Sequence, residues 1–293
     1  MKKIISAFLA ICLTFCFITS PANMWEVKAD TFISGDYEYN ILQDGTVEIT
    51  GYTGTDQILN IPSAIEGKTV TSIGEYAFNG CAGITEIIMP DTVTTVKPYA
   101  FYRSSAAKIT IPASVSSIGQ NAFSGCAALT EIIVETGAAS PNYCSDDGVL
   151  YNKDKTLLIT CPAGKTGIYT IPSGVTNIND YAFFGCTGIT EITIPSSVIS
   201  IQEGAFNGCS GLQQITVPAS VTSIGSMAFA SCSSLTDITI PSSVNNMGIS
   251  VFSDCTGLKT ATIQFNVTSI QSGTFYNCSS LESITIPSSI TTI

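Results

Sequence analysis

Cysteine is the residue type whose reactivity and spacing first suggest a functional site in this sequence. Cys12 and Cys16 lie near the start, which leaves nine of the eleven cysteines for the rest of the chain. Seven of these recur at one position of a repeating pattern: Cys81, Cys126, Cys186, Cys209, Cys232, Cys255 and Cys278. No two are spaced as Cys-x-x-Cys and an odd number cannot pair completely, so we expect a ladder of buried thiols that pack as small apolar side chains. A disulfide between the remaining two, Cys144 and Cys161, stays an open alternative.

The residues needed for common catalytic and metal sites are absent or misplaced. The sequence has no histidine, which excludes Ser-His-Asp and Cys-His catalysis and removes the commonest ligand of transition metals. Three segments imitate the ordered motifs of penicillin-binding enzymes: Ser105-Ala106-Ala107-Lys108, Ser145-Asp146-Asp147 and Lys165-Thr166-Gly167. However, Lys108 leads into a predicted strand instead of a helix, the second motif lacks its asparagine, and the aspartates lack the spacing of a calcium loop. We predict that the protein is not an enzyme and has no catalytic residue, metal site or cofactor.

Charge and composition narrow the class of protein. The 293 residues include 22 acidic and 11 basic ones, for a formal net charge of −11. Only 11% of the residues are charged, where about a quarter is usual. No basic cluster offsets the acidic surface, which would repel a phosphate backbone, so we predict no binding to nucleic acid.

The first 29 residues have the organisation of a secretory signal peptide. Lys2 and Lys3 precede an uncharged, mostly apolar run over residues 4–18, and a small-residue cleavage point follows at Ala29. A retained membrane anchor is the alternative, but the run is shorter than the roughly 20 residues that span a bilayer. We predict a secreted, extracellular protein that is not inserted in the membrane after cleavage. Attachment to the cell surface stays an open alternative.

A repeat of about 23 residues organises the rest of the chain. Phenylalanines recur at Phe78, Phe101, Phe123, Phe183, Phe206, Phe229, Phe252 and Phe275, with one long gap between the third and fourth. Fixed periods of this length indicate stacked coils, because one unit cannot bury its apolar side alone. We predict that these rings form one continuous spine and that Cys126, Cys186, Cys209 and Cys232 lie in the same core.

Each coil contains a strand, a second short apolar segment and a tight turn. The segment Leu235-x-x-Ile238-x-Ile240-Pro241 alternates as a strand does, and the proline ends it. The residue two positions after the phenylalanine is usually glycine, aspartate or asparagine, which predicts a left-handed turn. Arg103 and Ser231 depart from that rule.

The repeated pattern Leu-x-x-Ile-x-Ile-Pro-x-Ser-Val-x-x-Ile-Gly-x-x-Ala-Phe-x-x-Cys resembles the BspA-like leucine-rich repeat, also called the Treponema pallidum type, over residues 58–293. This resemblance implies a right-handed solenoid with a parallel sheet on one side. It also implies a secreted or surface protein of bacteria that acts in adhesion or protein binding. The predicted fold is thus a β-rich solenoid of about eight 23-residue coils.

Three parts break the period. Residues 37–50 alternate around Asp44-Gly45, which predicts a β-hairpin cap over residues 30–57. The long gap, about residues 135–168, predicts an inserted hairpin with strands at 149–152 and 156–160 that projects from one edge; it is either a structural elaboration or a binding element. The chain stops in the middle of a repeat, from which we expect either that the sequence is a fragment or that a partner or a further domain covers the last coil.

The outward side of the strands is the candidate binding surface. One predicted row consists of Glu86, Lys108, Glu131, Glu191, Gln214 and Asp237, continued by Thr260 and Ser283, and a threonine-rich row lies beside it. The alternative for the acidic row is an ordinary solvated face, and the alternative for the threonine row is the strand propensity of threonine. We favour a non-catalytic scaffold that binds a host or bacterial protein. The alternatives are a module of a larger secreted enzyme or cell-wall polypeptide, and a carbohydrate-binding module that uses Tyr76, Tyr99 and Tyr181.

Overall fold

Strands and turns build the whole of the structure, a computed structural model that describes residues 31–136, 142–264 and 269–290. The predicted signal peptide, residues 1–29, lies outside the described residues. The N-terminal strands β1 (Phe32–Ser34), β2 (Tyr37–Ile41) and β3 (Val47–Tyr52) pair antiparallel. Asp44 closes the turn between β2 and β3 by accepting a hydrogen bond from the Thr46 N–H at 2.9 Å. The predicted hairpin cap is therefore confirmed.

Ten parallel strands form one long side of the solenoid, in groups of four, three and three. They are β4 (Ile58–Asn60), β7 (Glu86–Ile88), β9 (Lys108–Ile111) and β11 (Glu131–Val134); β15 (Thr166–Thr170), β17 (Gly188–Thr193) and β19 (Gln214–Thr216); and β21 (Asp237–Ile240), β23 (Thr260–Ile263) and β24 (Ser283–Thr285). Within each group, successive strands pair at the repeat spacing, with one register shift between β15 and β17. The solenoid predicted from the repeat is confirmed.

Shorter parallel strands form a second side. They are β6 (Lys68–Ile73), which also forms a hairpin with β5 (Ala64–Ile65), then β8 (Thr95–Val96) and β10 (Ser117–Ile118), and later β16 (Asn177–Ile178), β18 (Ser200–Ile201), β20 (Ser223–Ile224) and β22 (Asn246–Met247). Strand β3 of the cap pairs parallel with β6, so the cap continues this second side and covers the first coil.

The insertion is a modified coil, which corrects the expectation that it projects from an edge. Its strands are β12 (Tyr143–Asp146), β13 (Val149–Asn152) and β14 (Leu157–Thr160). Strand β14 pairs parallel with β16, in the place of a second-side strand. Val149, Leu150, Tyr151 and Leu158 are fully buried, because both sides of this sheet face apolar core.

Cys161 occupies the phenylalanine position of this modified coil. Its N–H donates to the Ala182 carbonyl at 2.7 Å, as the Phe183 N–H donates to the Ala205 carbonyl one coil later. The chain thus has eight coils with a phenylalanine, as predicted. The two remaining long-side strands are β11, whose coil the insertion completes, and β24, which follows the last phenylalanine.

The phenylalanine spine is divided into two stacks, which corrects the expectation of one. Phe78, Phe101 and Phe123 stack with centroids 5.2 and 5.7 Å apart. The rings from Phe183 to Phe275 form a second stack with spacings of 5.1 to 5.7 Å. Between the stacks, Leu150 packs in the first core and Val149 and Tyr151 pack in the second, so β13 is a partition between them.

Candidate binding surface

The outward side of the ten long-side strands, termed the strand face, carries the predicted row of candidate residues. The strand pairings place Glu86 beside Lys108, Lys108 beside Glu131, and Glu191 beside Gln214. Asp237 pairs with Thr260, and Thr260 with Ser283. The insertion separates the half of the row that ends at Glu131 from the half that contains Glu191. The row exists as two segments on one side of the molecule.

Some charged side chains of the row form an ion pair and others do not. Glu86 and Lys108 form an ion pair of 3.0 Å and are half-buried. Glu131, Glu191, Gln214 and Asp237 are exposed. Asp237 accepts hydrogen bonds from the hydroxyls of Thr236 and Thr260, at 2.8 and 3.4 Å. The free negative charge of the strand face is therefore concentrated at Glu131, Glu191 and Asp237.

Two apolar members of the row were missed in the sequence. Ile58 and Ile168 are 53% and 68% exposed, and Ile168 pairs in register with Glu191. Their signal was present, because each lies four residues before a proline, as Glu191 lies before Pro195. They were overlooked because the leucine that marks the start of other repeats is absent from these two coils.

Two shallow grooves lie along the C-terminal segment of the row. One, of about 420 Å³, is lined by side chains of β19 and β21 that include Gln214, Thr216, Asp237 and Thr239. The other, of about 250 Å³, lies between β17 and β19 and includes Glu191, Thr193, Gln214 and Thr216. The two grooves share Gln214 and Thr216 and therefore form one continuous surface. On it, the row of Glu191, Gln214 and Asp237 lies beside a row of threonines.

A third depression, of about 490 Å³, marks the place where the insertion meets β11. Glu131, Ser145, Asp147 and Lys165 line it, and Lys165 pairs with Asp147 at 2.9 Å. Ser145 Oγ accepts a hydrogen bond from the Val134 N–H at 3.0 Å. Ser145 of the second imitated motif and Lys165 of the third are thus bound to other partners.

The cysteine ladder has a structural role. Five of the seven ladder thiols donate to the carbonyl of a phenylalanine one coil earlier, as Cys232 does to Phe206 at 3.2 Å. The other two, Cys81 and Cys186, donate to the carbonyls of Tyr52 and Cys161. Burial raises the pKa of Cys126 to about 11 and that of Cys255 to about 12, which suppresses the reactive thiolate. Cys144 and Cys161, whose pairing was left open, are both free thiols.

The three tyrosines considered as a sugar platform do not form one surface. Tyr76 and Tyr99 stack face to face, 5.0 Å apart and 5° from parallel. Tyr181 instead packs edge-on against Phe184, donates a 2.8 Å hydrogen bond to Glu203, and has a ring that a Cβ at Gly204 would strike. The stack covers one face of Tyr76 and one face of Tyr99, and the ring of Tyr181 does not extend it, so the three rings do not offer a sugar one broad aromatic face.

In the three ranges that the structure covers, no group of three or more cysteine, aspartate or glutamate side chains is arranged to hold a metal ion. Within the same ranges, no helix has the length and apolar character that crossing a bilayer requires.

Comparison with known proteins identifies the repeat. The sequence profile described as BspA type leucine rich repeat region matches residues 56–145 and 168–293, well over half of the chain. The chain is similar in structure to a leucine-rich cell surface protein from Faecalibacterium prausnitzii, with 24% identity, a TM-score of 0.63, and coverage of 88% of this chain and 95% of that one.

Two further solved structures share the fold. A leucine-rich repeat protein from Eubacterium ventriosum is 26% identical with a TM-score of 0.50, over 86% of this chain and 76% of that one. One from Bacteroides ovatus is 25% identical with a TM-score of 0.51, over 89% and 78%. Among curated proteins, none matches the sequence.

Proposed function

Because this chain belongs to the family of BspA-type leucine-rich repeat proteins, we propose that it is a non-catalytic scaffold that binds a protein partner on its strand face. The observation that carries this proposal is the exposed row of the strand face, where Glu131, Glu191 and Asp237 lie without an ion-pair partner in the described chain. Rigid, in-register strands hold these side chains at fixed spacing, about 4.8 Å per coil.

The composition of the strand face supports a protein partner with basic side chains. Exposed carboxylates attract such a partner over distance, and the chain's net charge of −11 adds to the attraction. Ile168 contributes apolar area beside Glu191. Ten strands at this spacing give a face about 45 Å long, which is long enough for an interface of about 800 Å² per partner if neighbouring turns take part.

The proposed place of action is outside the cell. The signal peptide predicted at residues 1–29 supports secretion, with or without attachment to the surface. The partner is then a host protein or another bacterial surface protein. This scaffold role also suits a module of a larger secreted enzyme or cell-wall polypeptide, since a strand face binds in the same way in either setting.

Surface plasmon resonance with immobilised extracellular-matrix and bacterial surface proteins tests the proposal. We expect Glu131→Lys, Glu191→Lys and Asp237→Lys each to weaken binding to any protein that the unaltered chain binds. Asp154→Lys, which makes the same charge change on an exposed turn of the insertion, is the matched control and leaves binding unchanged. Binding that survives all three strand-face changes refutes the strand face as the site, and binding to glycans alone refutes a protein partner.

A further inference from the structure

A compact group of aromatic and cationic side chains lies on the turns that lead from the second side to the long side in the first coils. We name it the tyrosine–arginine patch: Tyr76, Tyr99, Tyr102 and Arg103. The ring of Tyr102 meets those of Tyr99 and Tyr76 edge-on, at 5.7 and 6.3 Å, and Arg103 Cζ lies 5.0 Å from the Tyr102 centroid. We propose that this patch is a second binding site, which takes a protein segment with one carboxylate beside apolar side chains.

Three residues of the patch lie at positions where the coil geometry imposes a left-handed backbone. Tyr76, Tyr99 and Arg103 each have a φ of 56°, in the left-handed region. At the equivalent positions some other coils use glycine, such as Gly204 and Gly125, which adopt this conformation at no steric cost. Bulky residues with positive φ cost folding free energy and concentrate at functional positions. Since Tyr76 remains 44% exposed, core burial does not repay that cost.

Arg103 is the group that selects the ligand. It is the one arginine in the sequence, it is exposed, and the four ion pairs of the described residues all use lysines instead. A guanidinium presents a planar set of donors that matches both oxygens of a carboxylate. Its position over the Tyr102 ring orients that set of donors before any ligand arrives.

The tyrosines add both apolar contact and a polar donor. Tyr99 Oη accepts a hydrogen bond from Asn121 Nδ2 at 3.2 Å, which leaves its own hydrogen free to donate. Tyrosine and arginine are the side chains that most often carry the energy of protein interfaces. Tyr76 and Tyr99 cover one face of each other and Tyr102 packs edge-on against both, so the patch offers ring edges for contact with aliphatic side chains.

The net charge of the chain limits the partner to few carboxylates. A run of acidic residues would be repelled by a protein with a formal charge of −11. A single aspartate or glutamate among apolar residues gains the arginine contact and avoids most of this repulsion. The inference rests on the proposed protein-binding role, but it concerns a different surface with ligands of the opposite charge.

A display library of short random peptides, selected against the full chain, provides the probe. We expect the enriched peptides to contain one aspartate or glutamate next to apolar residues. By fluorescence anisotropy, we expect Arg103→Gly to weaken their binding by at least about tenfold, because charge-assisted hydrogen bonds are lost. Changing the peptide's acidic residue to its amide has the same effect, and Arg103→Lys gives an intermediate loss because it keeps the charge without the fork.

The controls separate the patch from folding and from the strand face. Arg103→Gly suits its positive φ and folds, and Ser231→Gly makes an equivalent change in another coil and leaves binding intact. Glu131→Lys leaves peptide binding at the patch unweakened. Failure of the strand-face proposal can therefore be distinguished from failure of this one. The inference is overturned if enriched peptides lack a carboxylate, if they bind Arg103→Gly equally well, or if only sialylated glycans show the Arg103 dependence.

Discussion

At the scale of single residues, two positions in each of the eight coils with a phenylalanine take a left-handed backbone whatever their side chain. One lies two residues after each core phenylalanine: Gly80, Arg103, Gly125, Gly185, Gly208, Ser231, Asp254 and Asn277. The other lies two residues before it: Tyr76, Tyr99, Asn121, Tyr181, Gly204, Met227, Ser250 and Gly273. The stacking of neighbouring coils therefore determines the backbone conformation at these positions, and the intrinsic preference of each residue type does not.

This rule predicts that Ser231→Gly stabilises the protein. Ser231 has a φ of 59°, which a residue with a Cβ adopts at a cost and glycine adopts freely. We expect the free energy of unfolding to rise by up to about 1 kcal/mol, since removal of the strain outweighs the added freedom of the unfolded chain. Denaturant unfolding measures this change.

A neighbouring serine provides the control for this prediction. Ser234 is exposed and lies outside the left-handed positions, so Ser234→Gly lowers stability by a few tenths of a kcal/mol or more. If both changes destabilise the protein alike, the strain assigned to position 231 is absent.

At the scale of elements, the insertion separates the two cores of the solenoid and determines how far a change in packing in one half affects the other. Strand β13 is buried on both faces, with Leu150 in the first core and Tyr151 in the second. The buried hydroxyls of Tyr151 and Tyr169 are hydrogen-bonded to each other, which ties the insertion to β15. In a solenoid each coil is stabilised mainly by its neighbours, so a change on one face of β13 acts first on that side.

Substitutions on the two faces of β13 are therefore expected to act on different halves. Leu150→Ala lowers the hydrogen-exchange protection of amides in strands β7, β9 and β11 more than in later strands, and Tyr151→Ala has the reverse effect on β15, β17 and β19. Each leaves a cavity that costs about 2–5 kcal/mol. Amide exchange followed by mass spectrometry resolves the halves, and equal loss of protection on both sides after either change contradicts the partition.

At the scale of the whole molecule, regularity decided what could be predicted from sequence. The coil pattern placed Phe206, Cys209 and Cys232 in the core because each recurs in register, and all three are fully buried. The insertion was misplaced because its strands carry neither phenylalanine nor proline at the repeat positions. Its continuous apolar runs, such as Val149-Leu150-Tyr151, did indicate a strand buried on both faces. Tyr76 and Tyr99 were noted in the sequence, but their packing with Tyr102 and Arg103 was missed because contacts that form in only two coils leave no periodic signal.

The thiols and phenols buried along the solenoid also give the whole molecule a defined response to pH. Burial raises the pKa of Cys126 to about 11, of Cys255 to about 12 and of Tyr151 to about 12. Above about pH 9 the unfolded chain loses thiol protons that the folded chain keeps, so proton release favours unfolding. The stability linked to these groups is fully present below that pH and is lost as pH rises toward the folded-state values.

We therefore expect the melting temperature to stay nearly constant between about pH 6 and 8, where the chain has no histidine to titrate, and to fall steeply above about pH 9. Thermal unfolding followed by circular dichroism over this range measures the slope. Cys255→Val removes one buried thiol with little change in volume and makes the slope shallower, whereas Cys144→Val, at a half-buried thiol, changes it less. A melting temperature that is constant up to about pH 11 would show that the buried thiols are not linked to folding.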